Sequence, residues 1–597
     1  LEHRFVGVLQ QSGRYNFVLP DNRSLDKDIY IPNERIGKAK NGDKVVVQIE
    51  RWPQFSKNPI GKILDILGKN GENDAEMHAI LAEFGLPYKY PEHIVKAAQK
   101  IEAGITAEEI ARREDYRDVT TFTIDPADAK DFDDALSIRK LKNGNWEAGV
   151  HIADVSHYVQ PNTSIDEEAY KRATSIYLVD RTIPMLPEKL CNELCSLRQD
   201  EDKLCYSTIF EMDEEANVVN KRIVKTVIRS NRRFNYEEAQ QIIETGEGDF
   251  NKEILALDRL AKKLRARRFE NCAIAFERAE VKFILDDKGK PVDVYFKIAK
   301  DSNQLVEEFM LLANRTVAET IGTALNKTSK KAKTFVYRVH DQPTTDKLMS
   351  LAGMASRFGH KMPAVGNNKV ISQGINKLMK DIHDRPEENL LSTLAIRSMA
   401  KAVYTTQNIG HYGLAFDYYT HFTSPIRRYP DTMVHRLLDR YLNNGGRSVP
   451  GIQFEEYCKH CSDMEQTAAQ AERASIKYKQ TEYLKDRLGE VFEGTVSGVS
   501  EWGFYVELKD NMCEGLVPVR DLKDDHYVYD EKNFCLIGRR THRRFTLGDK
   551  VKVQVAAVNL ERKNIDFKLE EKDAPSQNRP TVTKANKRAA GKKRKKR

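Results

Sequence analysis

The chain has 597 residues, of which 40% are hydrophobic and 31% are charged, and its net charge is +8. This length exceeds what one hydrophobic core supports, so we expect roughly three to five domains. No apolar run approaches the roughly 18 residues that a bilayer-spanning helix needs, which excludes a helical membrane protein. The first residue is Leu1 rather than Met, and we expect the chain to be a fragment of a longer protein.

The cysteines and the basic residues indicate where the protein works and what it binds. Eight cysteines are scattered along the chain, which predicts reduced thiols in a cytoplasmic protein. Cys458 and Cys461 resemble half of a zinc site, but no second ligand pair follows. Residues 574–597 contain ten Lys and Arg and no acidic residue, which leaves −2 for the rest. We predict a disordered basic tail over residues 573–597, with nucleic acid favoured as its partner over a merely solubilising role.

Short strands separated by turns occupy residues 4–68. RFVGVLQQSGRYNFVLP alternates around Gly7 and Gly13, and DIYIP and GDKVVVQI follow. This pattern predicts a small OB-type β-barrel over residues 1–70. Its aromatic residues are expected to stack on bases, with half of them core residues in the alternative interpretation: Phe5, Tyr15, Phe17 and Tyr30. A polar helical connector is predicted over residues 71–117.

A large α/β domain is predicted over residues 118–487, because no long polar linker interrupts them. Its strands include VTTFTID and WEAGVHIADV, and its helices include NQLVEEFMLLANRTVAETI and IRRYPDTMVHRLLDRYL. Residues 488–572 predict a second OB-type barrel. Candidate contacts to bases and backbone there are Phe492, Trp502, Phe504, Tyr505, His526 and Arg540. Two barrels on either side of an enzyme-sized core make single-stranded nucleic acid the expected ligand.

The stretch TIDPADAKDFDDALSI, residues 123–138, places five aspartates within ten positions. A calcium-binding EF-hand loop needs Gly at its sixth and Glu at its twelfth position. Counted from Asp125, these positions hold Lys130 and Leu136, and other registers fail likewise. The stretch instead predicts a strand that ends at Asp125, a break at Pro126, and a second strand over Ala135–Ile138.

This hairpin would bring four of the aspartates together: Asp125, Asp131, Asp133 and Asp134. Mg²⁺ binds through a few carboxylates together with water and a substrate phosphate. Two ions about 4 Å apart activate a water and stabilise the leaving oxygen. Without cations the carboxylates repel one another and some protonate. A solvated acidic loop is the alternative, and Asp128, which has no partner in this scheme, is expected to be solvated.

A second candidate group is HFTSPIRRYPD, residues 421–431. Ser424 and Pro425 predict a helix N-cap and first helical residue, which places Arg427 and Arg428 in the first turn. Cations are unfavourable there because the helix dipole is already positive. An incoming phosphate removes this objection, since guanidinium and free N–H groups would bind it together. Two surface arginines are the alternative.

Four motifs together resemble the RNB family of exoribonucleases: IDPADAKDFDDALSI, HIADVSHYV at 151–159, YLVDRTIPMLPEKLCNELCSL at 177–197, and HFTSPIRRYPD. The resemblance covers nearly the whole chain. It implies a multidomain α/β and all-β protein, with an RNB catalytic core between a cold-shock barrel and a C-terminal RNA-binding OB barrel. It also implies processive 3′→5′ hydrolysis of single-stranded RNA to nucleoside 5′-monophosphates, with a very short end product.

The resemblance implies a role for each site residue. The four aspartates would hold one or two Mg²⁺ ions, with Mn²⁺ as a substitute, and loss of Asp133 would abolish cleavage most cleanly. Arg427 would stabilise the scissile phosphate. The expected RNA contacts are Tyr177 on the 3′-terminal nucleotide, Phe276 at the other end of the stacked bases, Tyr236 and Glu308 at ribose hydroxyls, Arg428, and Glu472 on a late helix. Glu307 and Glu465 are the alternatives to Glu308 and Glu472, and a core position is the alternative for Tyr177.

Other functions and partners follow from the same residues. His151 and Asp154 would point to opposite faces of a strand, so we interpret them and His157 as structural residues. A non-catalytic RNA-binding protein would lack some of the aspartates or Arg427, and all are present. A DNA nuclease is disfavoured by the candidate ribose contacts. The motifs and the tail favour an enzyme that digests structured RNA from a 3′ overhang, over a family branch that is restricted to unstructured RNA. We expect the protein to be a monomer.

Overall fold

The computed structural model describes residues 4–13, 15–22, 25–54, 56–274, 280–324, 333–385, 387–443 and 446–570. The chain divides into two compact units, residues 1–486 with 559–564 and residues 487–558 with 565–597. In the described part of the chain, no helix combines the length and the apolar character that crossing a bilayer requires.

The first unit begins with a closed five-stranded barrel in the order β1-β2-β3-β5-β4. Its strands are β1 (Arg4–Ser12), β2 (Tyr15–Pro20), β3 (Ile29–Tyr30), β4 (Asp43–Arg51) and β5 (Ile60–Lys69). Val18, Ile29 and Val45 fill the barrel, and Phe5 packs against them. A Cβ at Gly7 would lie 2.2 Å from the Leu19 carbonyl oxygen, so close strand pairing requires glycine there. Tyr15 is exposed beside Tyr30.

Three helices follow the barrel: α1 (Asn73–Glu83), α2 (Glu92–Gln99) and α3 (Ala107–Ala111). Met77, Ile80 and Leu81 of α1 pack with Ala471 and Tyr478 of a long later helix, α13 (Gly451–Lys485). The segment predicted as a polar helical connector, residues 71–117, is helical as expected, and its first helix packs into the same compact unit as the central domain.

A seven-stranded sheet in the order β14-β7-β8-β9-β12-β13-β6 forms the centre of the first unit. Its strands are β6 (Glu114–Asp115), β7 (Thr121–Asp125), β8 (Asp134–Lys140), β9 (Trp146–Ala153), β12 (Asp202–Met212), β13 (Val218–Arg229) and β14 (Arg232–Asn235). β7 and β9 are almost entirely buried and β8 is buried over its central residues, because helices cover the sheet. This arrangement confirms the predicted α/β core.

The remaining elements surround this sheet. Short pairs of strands are β10 (Ile176–Tyr177) with β11 (Thr182–Ile183), β15 (Glu280–Leu285) with β16 (Pro291–Lys297), and β17 (Tyr337–Val339) with β18 (Val403–Thr405). The helices are α4 (Val155–Tyr158), α5 (Ser164–Arg172), α6 (Tyr236–Thr245), α7 (Asn251–Glu270), α8 (Asp301–Ala324), α9 (Thr345–Arg357), α10 (Asn368–Ile382), α11 (Glu388–Ser398) and α12 (Tyr429–Leu438).

The second unit is a closed barrel in the order β19-β20-β21-β26-β25, with a separate three-stranded sheet, β22-β23-β24. The strands are β19 (Val491–Ser500), β20 (Gly503–Leu508), β21 (Glu514–Pro518), β22 (Tyr527–Asp530), β23 (Cys535–Gly538), β24 (Arg544–Thr546), β25 (Lys550–Asn559) and β26 (Asn564–Leu569). Both predicted barrels are thus confirmed. The predicted basic tail, residues 573–597, lies outside the described residues.

Candidate active site

The acidic stretch forms the predicted hairpin. β7 ends at Asp125, β8 begins at Asp134, and the two strands pair antiparallel with Phe122 opposite Leu136. Asp131 and Asp133 lie in the loop that joins them. Asp128, also in this loop, is exposed, as expected for the aspartate without a partner.

Two residues that sequence analysis missed hold this loop in place. The Ser196 hydroxyl donates to the Lys130 carbonyl oxygen at 3.0 Å and accepts the Phe132 N–H at 3.0 Å. Arg233, on the neighbouring strand β14, donates from Nη2 to the carbonyl oxygens of Pro126 and Ala127 at 2.7 and 2.8 Å. Ser196 lies within a motif, whereas nothing in the local sequence around Arg233 indicates this contact.

Burial raises the pKa values of the four aspartates, and repulsion by neighbouring aspartates adds to the rise for Asp125, Asp133 and Asp134. Burial raises the pKa of Asp125 to about 7, and the charges of Asp133 and Asp131 add to the rise. Burial and the charge of Asp125 raise the pKa of Asp134 to about 7. Burial raises the pKa of Asp133 well above its usual range, against the opposing charge of Arg427, and it also raises that of Asp131. The cluster therefore carries more negative charge than the protein around it neutralises.

The chemistry of these donors fits a divalent cation. Oδ2 of Asp125 is buried and has no hydrogen-bond partner within the described residues. A buried carboxylate oxygen without a donor is costly, and a hard cation with oxygen ligands removes that cost. The carboxylate oxygens of the four aspartates do not lie within 4.8 Å of one another as a group of three. Among the described residues, the group that meets this distance is His383, Asp384 and Glu388, of which the first two are exposed. The aspartates form a negatively charged cluster and do not enclose a metal site by themselves.

The structure corrects the prediction for residues 424–428. These residues form a turn, and α12 begins only at Tyr429 with Arg428 as its N-cap residue. Asp431 accepts the Ser424 N–H at 2.8 Å, and the Arg427 carbonyl oxygen accepts the Ser175 N–H at 3.0 Å. These two hydrogen bonds hold the two arginines outside the helix, so the prediction of a first helical turn was wrong.

This turn is joined directly to the aspartate cluster. The Ile426 N–H donates to Oδ1 of Asp133 at 2.8 Å, and Nε of Arg427 lies 3.6 Å from Oδ2 of the same residue. The Arg427 side chain remains 41% exposed. Arg428 differs, because its Nη2 donates to buried Asp431 at 2.7 Å and its side chain is only 17% exposed. A ligand can therefore reach Arg427. Arg428 is largely buried in its ion pair with Asp431, and its predicted contact with RNA stays a prediction.

Two of the predicted RNA contacts lie beside the cluster. Tyr177 exposes 39% of its surface, and burial of the rest raises its pKa to about 12, while the charges of Arg427, Asp131 and Asp133 also act on its hydroxyl. Tyr236 is the first residue of α6, and its pKa is raised by burial and then by Asp134 and Asp125. The structure thus brings both tyrosines together with the aspartates and Arg427.

The glutamate candidates lie elsewhere. Glu308 is buried in an ion pair with Arg268, at 2.5 Å, on the wall of a separate cavity of about 690 Å³. Glu307, its alternative, keeps a side chain that is 48% exposed. Glu472 is half-buried near Lys282, and Glu465 forms an ion pair with Arg338 at 2.6 Å. Phe276 lies outside the described residues. The RNA-contact roles of these residues stay predictions, and exposure favours Glu307 over Glu308.

The residues of the motif HIADVSHYV, residues 151–159, support the fold, as predicted for His151 and Asp154. His151 is buried, with Nε2 at 2.8 Å from the Ser137 hydroxyl and Nδ1 at 2.8 Å from the Ser207 hydroxyl. Burial lowers its pKa to about 3, so it is a neutral residue of the core. Asp154 forms a buried ion pair with Arg113 at 2.8 Å. Cys458 and Cys461 are free thiols packed in the hydrophobic core, so neither is exposed as a metal ligand.

In the second unit, one of the residues predicted to stack on bases is buried and cannot contact RNA. Phe504 is fully buried and stacks on Phe545 with 4.6 Å between ring centroids. Trp502, by contrast, is 71% exposed, and Tyr505 is 38% exposed. The prediction that Phe504 stacks on bases was wrong, because alternate residues of β20 point into the barrel.

Comparisons with known proteins agree with this geometry. A model of the RNB domain matches residues 113–444, a cold shock domain matches 17–91, and an S1 RNA binding domain matches 485–570. Ribonuclease R of Thermotoga maritima is 39% identical over 96% of this chain and 81% of its own length. Ribonuclease R of Escherichia coli is 34% identical over 99% of this chain and 75% of its own length.

A solved structure matches nearly the whole fold. Mycoplasma genitalium RNase R in complex with ribose methylated single-stranded RNA superposes with a TM-score of 0.89 at 25% identity, over 95% of this chain and 90% of that one. The fold and the site define an RNA-degrading enzyme with an acidic centre in an α/β core. The chain belongs to the RNB family of 3′→5′ exoribonucleases, and within that family to the ribonuclease R group.

Proposed function

We propose that Asp125, Asp131, Asp133 and Asp134, together with Arg427, hydrolyse the terminal phosphodiester of RNA and release nucleoside 5′-monophosphates. One observation carries the proposal: a buried carboxylate oxygen of Asp125, which has no hydrogen-bond partner in the described part of the chain, lies in a cluster of like charge that also faces the exposed side chain of Arg427. Such a cluster lacks two components, a cation for the carboxylates and an anion for the guanidinium. A phosphate with its metal ions supplies both.

The proposed cofactor is one or two Mg²⁺ ions, with Mn²⁺ able to substitute. RNB-family ribonucleases are generally metal-dependent. Asp125, Asp131, Asp133 and Asp134 would hold the ions, because carboxylate oxygens are the ligands that Mg²⁺ prefers. When bound, such ions activate a water and neutralise charge on the leaving oxygen.

Arg427 binds the scissile phosphate. Its guanidinium has room for a ligand, because its side chain is 41% exposed, its Nη2 donates to the Ser424 hydroxyl at 2.9 Å, and its Nε is 3.6 Å from Oδ2 of Asp133. Asp431 and the Ser175 N–H fix the backbone on either side, so little ordering entropy is lost when the phosphate arrives. The Arg427 charge then stabilises negative charge that develops on the phosphate oxygens.

The two tyrosines select the substrate. Tyr177 packs on the 3′-terminal nucleotide, which fixes the length of the final product. Tyr236, beside Asp134 and Asp125, contacts a ribose 2′-hydroxyl and so distinguishes RNA from DNA. Digestion is processive, on single-stranded RNA and on structured RNA with a 3′ overhang. We place the enzyme in the cytoplasm as a monomer, and its eight free thiols suit a reducing compartment.

The proposal is tested by product analysis on a 3′-tailed RNA and on a DNA of the same sequence. We expect nucleoside 5′-monophosphates from RNA, complete dependence on Mg²⁺ or Mn²⁺, and no activity in EDTA. Tyr236→Phe should reduce the preference for RNA over DNA while the released product stays the same. Activity that persists in EDTA would contradict the metal site, and equal degradation of DNA by the wild type would contradict the ribose contact.

A further inference from the structure

Lys479, on the long helix α13, is a lysine whose side chain is entirely buried. Its ammonium donates to Oδ1 of Asn73 at 2.8 Å, to the Gly289 carbonyl oxygen at 2.5 Å and to the Glu482 carboxylate at 2.8 Å. These acceptors occupy all three N–H groups of the ammonium. Burial of an ammonium is costly unless it is paired and hydrogen-bonded, and here both conditions hold. Lys479 therefore joins α13 to α1 and to the turn between β15 and β16.

Asn73, the first residue of α1, connects Lys479 to the hairpin that carries Tyr177. Its Nδ2 donates to Oδ2 of Asp180 at 2.6 Å, and Asp180 lies in the turn between β10 and β11. A flipped amide would place a donor against the ammonium and an acceptor against the carboxylate, so the two partners fix its orientation. The Asp180 side chain is only 7% exposed. Lys479, Asn73 and Asp180 thus form a polar link between α13 and the β10–β11 hairpin.

The β10–β11 hairpin holds Tyr177 between two buried residues. Ile176 and Leu178 pack with residues of α1 and α13, whereas Tyr177 is 39% exposed beside the aspartate cluster. The Leu178 N–H donates to the Arg181 carbonyl oxygen at 2.9 Å and closes the turn in which Asp180 lies. Because successive side chains of an extended chain point to opposite sides, the packing of Ile176 and Leu178 decides the direction of Tyr177. That direction therefore depends on how the hairpin is held on α1 and α13.

We propose that Lys479 is a positioning residue for Tyr177 and that it thereby fixes the length of the final product. Lys479 has no exposed side-chain surface, so it does not touch RNA and acts through the hairpin. Without the ammonium, nothing orients the Asn73 amide from the side of α13, and the hold on Asp180 is loosened. A displacement of about 1 Å at a group that positions the substrate can slow a reaction about 10²-fold. The inference rests on the proposed contact of Tyr177 with the 3′-terminal nucleotide.

The test is the length of the final product when the full chain digests a 5′-labelled single-stranded RNA to completion. Lys479→Met puts an apolar side chain of similar length in the same place and removes all three donors. We expect it to leave longer final products than the wild type, as Tyr177→Ala should, and to add no further length in the Tyr177→Ala background. Nucleotide release from RNAs of only a few nucleotides should slow by about 10²-fold. The rate on long RNA should change little, because other parts of the protein also hold a long substrate.

Two further variants separate positioning from a general loss of stability. Asn73→Ala interrupts the link but leaves Lys479 paired with Glu482, so it should lengthen the final product with only a small change in melting temperature. The matched control is Lys44→Met. Lys44 is also buried, at 1% exposure, and pairs with Asp21 and Glu76, but in the described part of the chain no hydrogen bond joins it to the β10–β11 hairpin. The control should lower the melting temperature and leave the product length unchanged.

The outcomes distinguish the positioning role from the proposed function. Wild-type product lengths from Lys479→Met and Asn73→Ala, beside a longer product from Tyr177→Ala, would overturn the positioning role alone. Equal lengthening by Lys44→Met would overturn it too, because lost stability would then explain the change. An unchanged length in Tyr177→Ala would overturn the proposed contact of Tyr177 with the nucleotide, and the inference with it. If Lys479→Met does not fold, the product length of Asn73→Ala decides.

Discussion

Asp125→Asn should stabilise the metal-free protein while it removes activity. The substitution keeps the shape of the side chain and removes one negative charge from the buried cluster. In the folded protein the pKa of Asp125 rises from 3.8 to about 7, chiefly through burial. At about 1.4 kcal/mol per pKa unit, this rise costs on the order of 4 kcal/mol of folding free energy when the group is ionised. Because the repulsion acts on Asp134 as well as on Asp125, the two contributions are not additive. We therefore expect the free energy of unfolding of the variant to exceed that of the wild type by about 2–4 kcal/mol.

The sign of the effect fixes its pH dependence. A carboxyl group whose pKa is raised by folding destabilises the native state only where it is ionised in the unfolded chain. The cost is absent below about pH 4, grows as the pH rises, and is complete above about pH 7. The advantage of Asp125→Asn should therefore be full at pH 8 and fall below half of that value at pH 5.

Thermal unfolding in EDTA at both pH values measures this difference, with Asp128→Asn as the control. Asp128 lies in the same loop but is exposed, so its variant should unfold with the wild type. Excess Mg²⁺ should stabilise the wild type more than Asp125→Asn, since binding to the native state alone raises stability. If Asp125→Asn melts at or below the wild-type temperature in EDTA at pH 8, the account of repulsion in the cluster is wrong.

The remaining predictions separate residues that look alike in the sequence. Arg427→Ala should lower kcat by about 10²–10³ in nucleotide release with the melting temperature unchanged, because it removes a donor to the phosphate. Arg428→Ala should instead cost about 3–5 kcal/mol in denaturant unfolding, because buried Asp431 loses the positive charge that pairs with it and keeps only the Ser424 N–H. If both variants lowered kcat equally and left the free energy of unfolding unchanged, the different roles of Arg427 and Arg428 would be contradicted. Trp502→Ala should weaken RNA binding by about 1–3 kcal/mol in a fluorescence titration. Phe504→Ala should destabilise the second unit by about 3–5 kcal/mol through a cavity, and a variant that lost only RNA affinity would show that Phe504 is not a core residue.

The acidic hairpin was predictable from sequence because every signal for it is local. Asp125 ends a strand, Pro126 cannot continue it, and the next strand begins at Asp134, one residue before the predicted Ala135, so the return of the chain follows from a few residues. The cluster of four aspartates is a consequence of that return. Arg427 lies about 300 residues later in the chain. That it acts together with the aspartates was implied by the family resemblance, and no spacing in the sequence indicates it.

The turn at 424–428 was not predictable in the same way. Ser424 and Pro425 form a good local helix start, but Asp431 binds the Ser424 N–H, and Ser175, about 250 residues away, binds the Arg427 carbonyl oxygen. Tertiary hydrogen bonds therefore override the local preference. The prediction for Phe504 was wrong for a related reason. The alternation along β20 is clear from the sequence, but which face of the strand lies inside depends on how the barrel closes.

The most direct test of the central claim is nucleotide release by Asp133→Asn on a 3′-tailed RNA in Mg²⁺, beside Asp128→Asn. The asparagine can still accept the Ile426 N–H, so the turn that carries Arg427 should stay in place. We predict that Asp133→Asn binds RNA but releases no nucleoside 5′-monophosphate, and that Asp128→Asn degrades RNA as the wild type does. Continued monophosphate release by Asp133→Asn would contradict the assignment of the aspartate cluster as the catalytic centre.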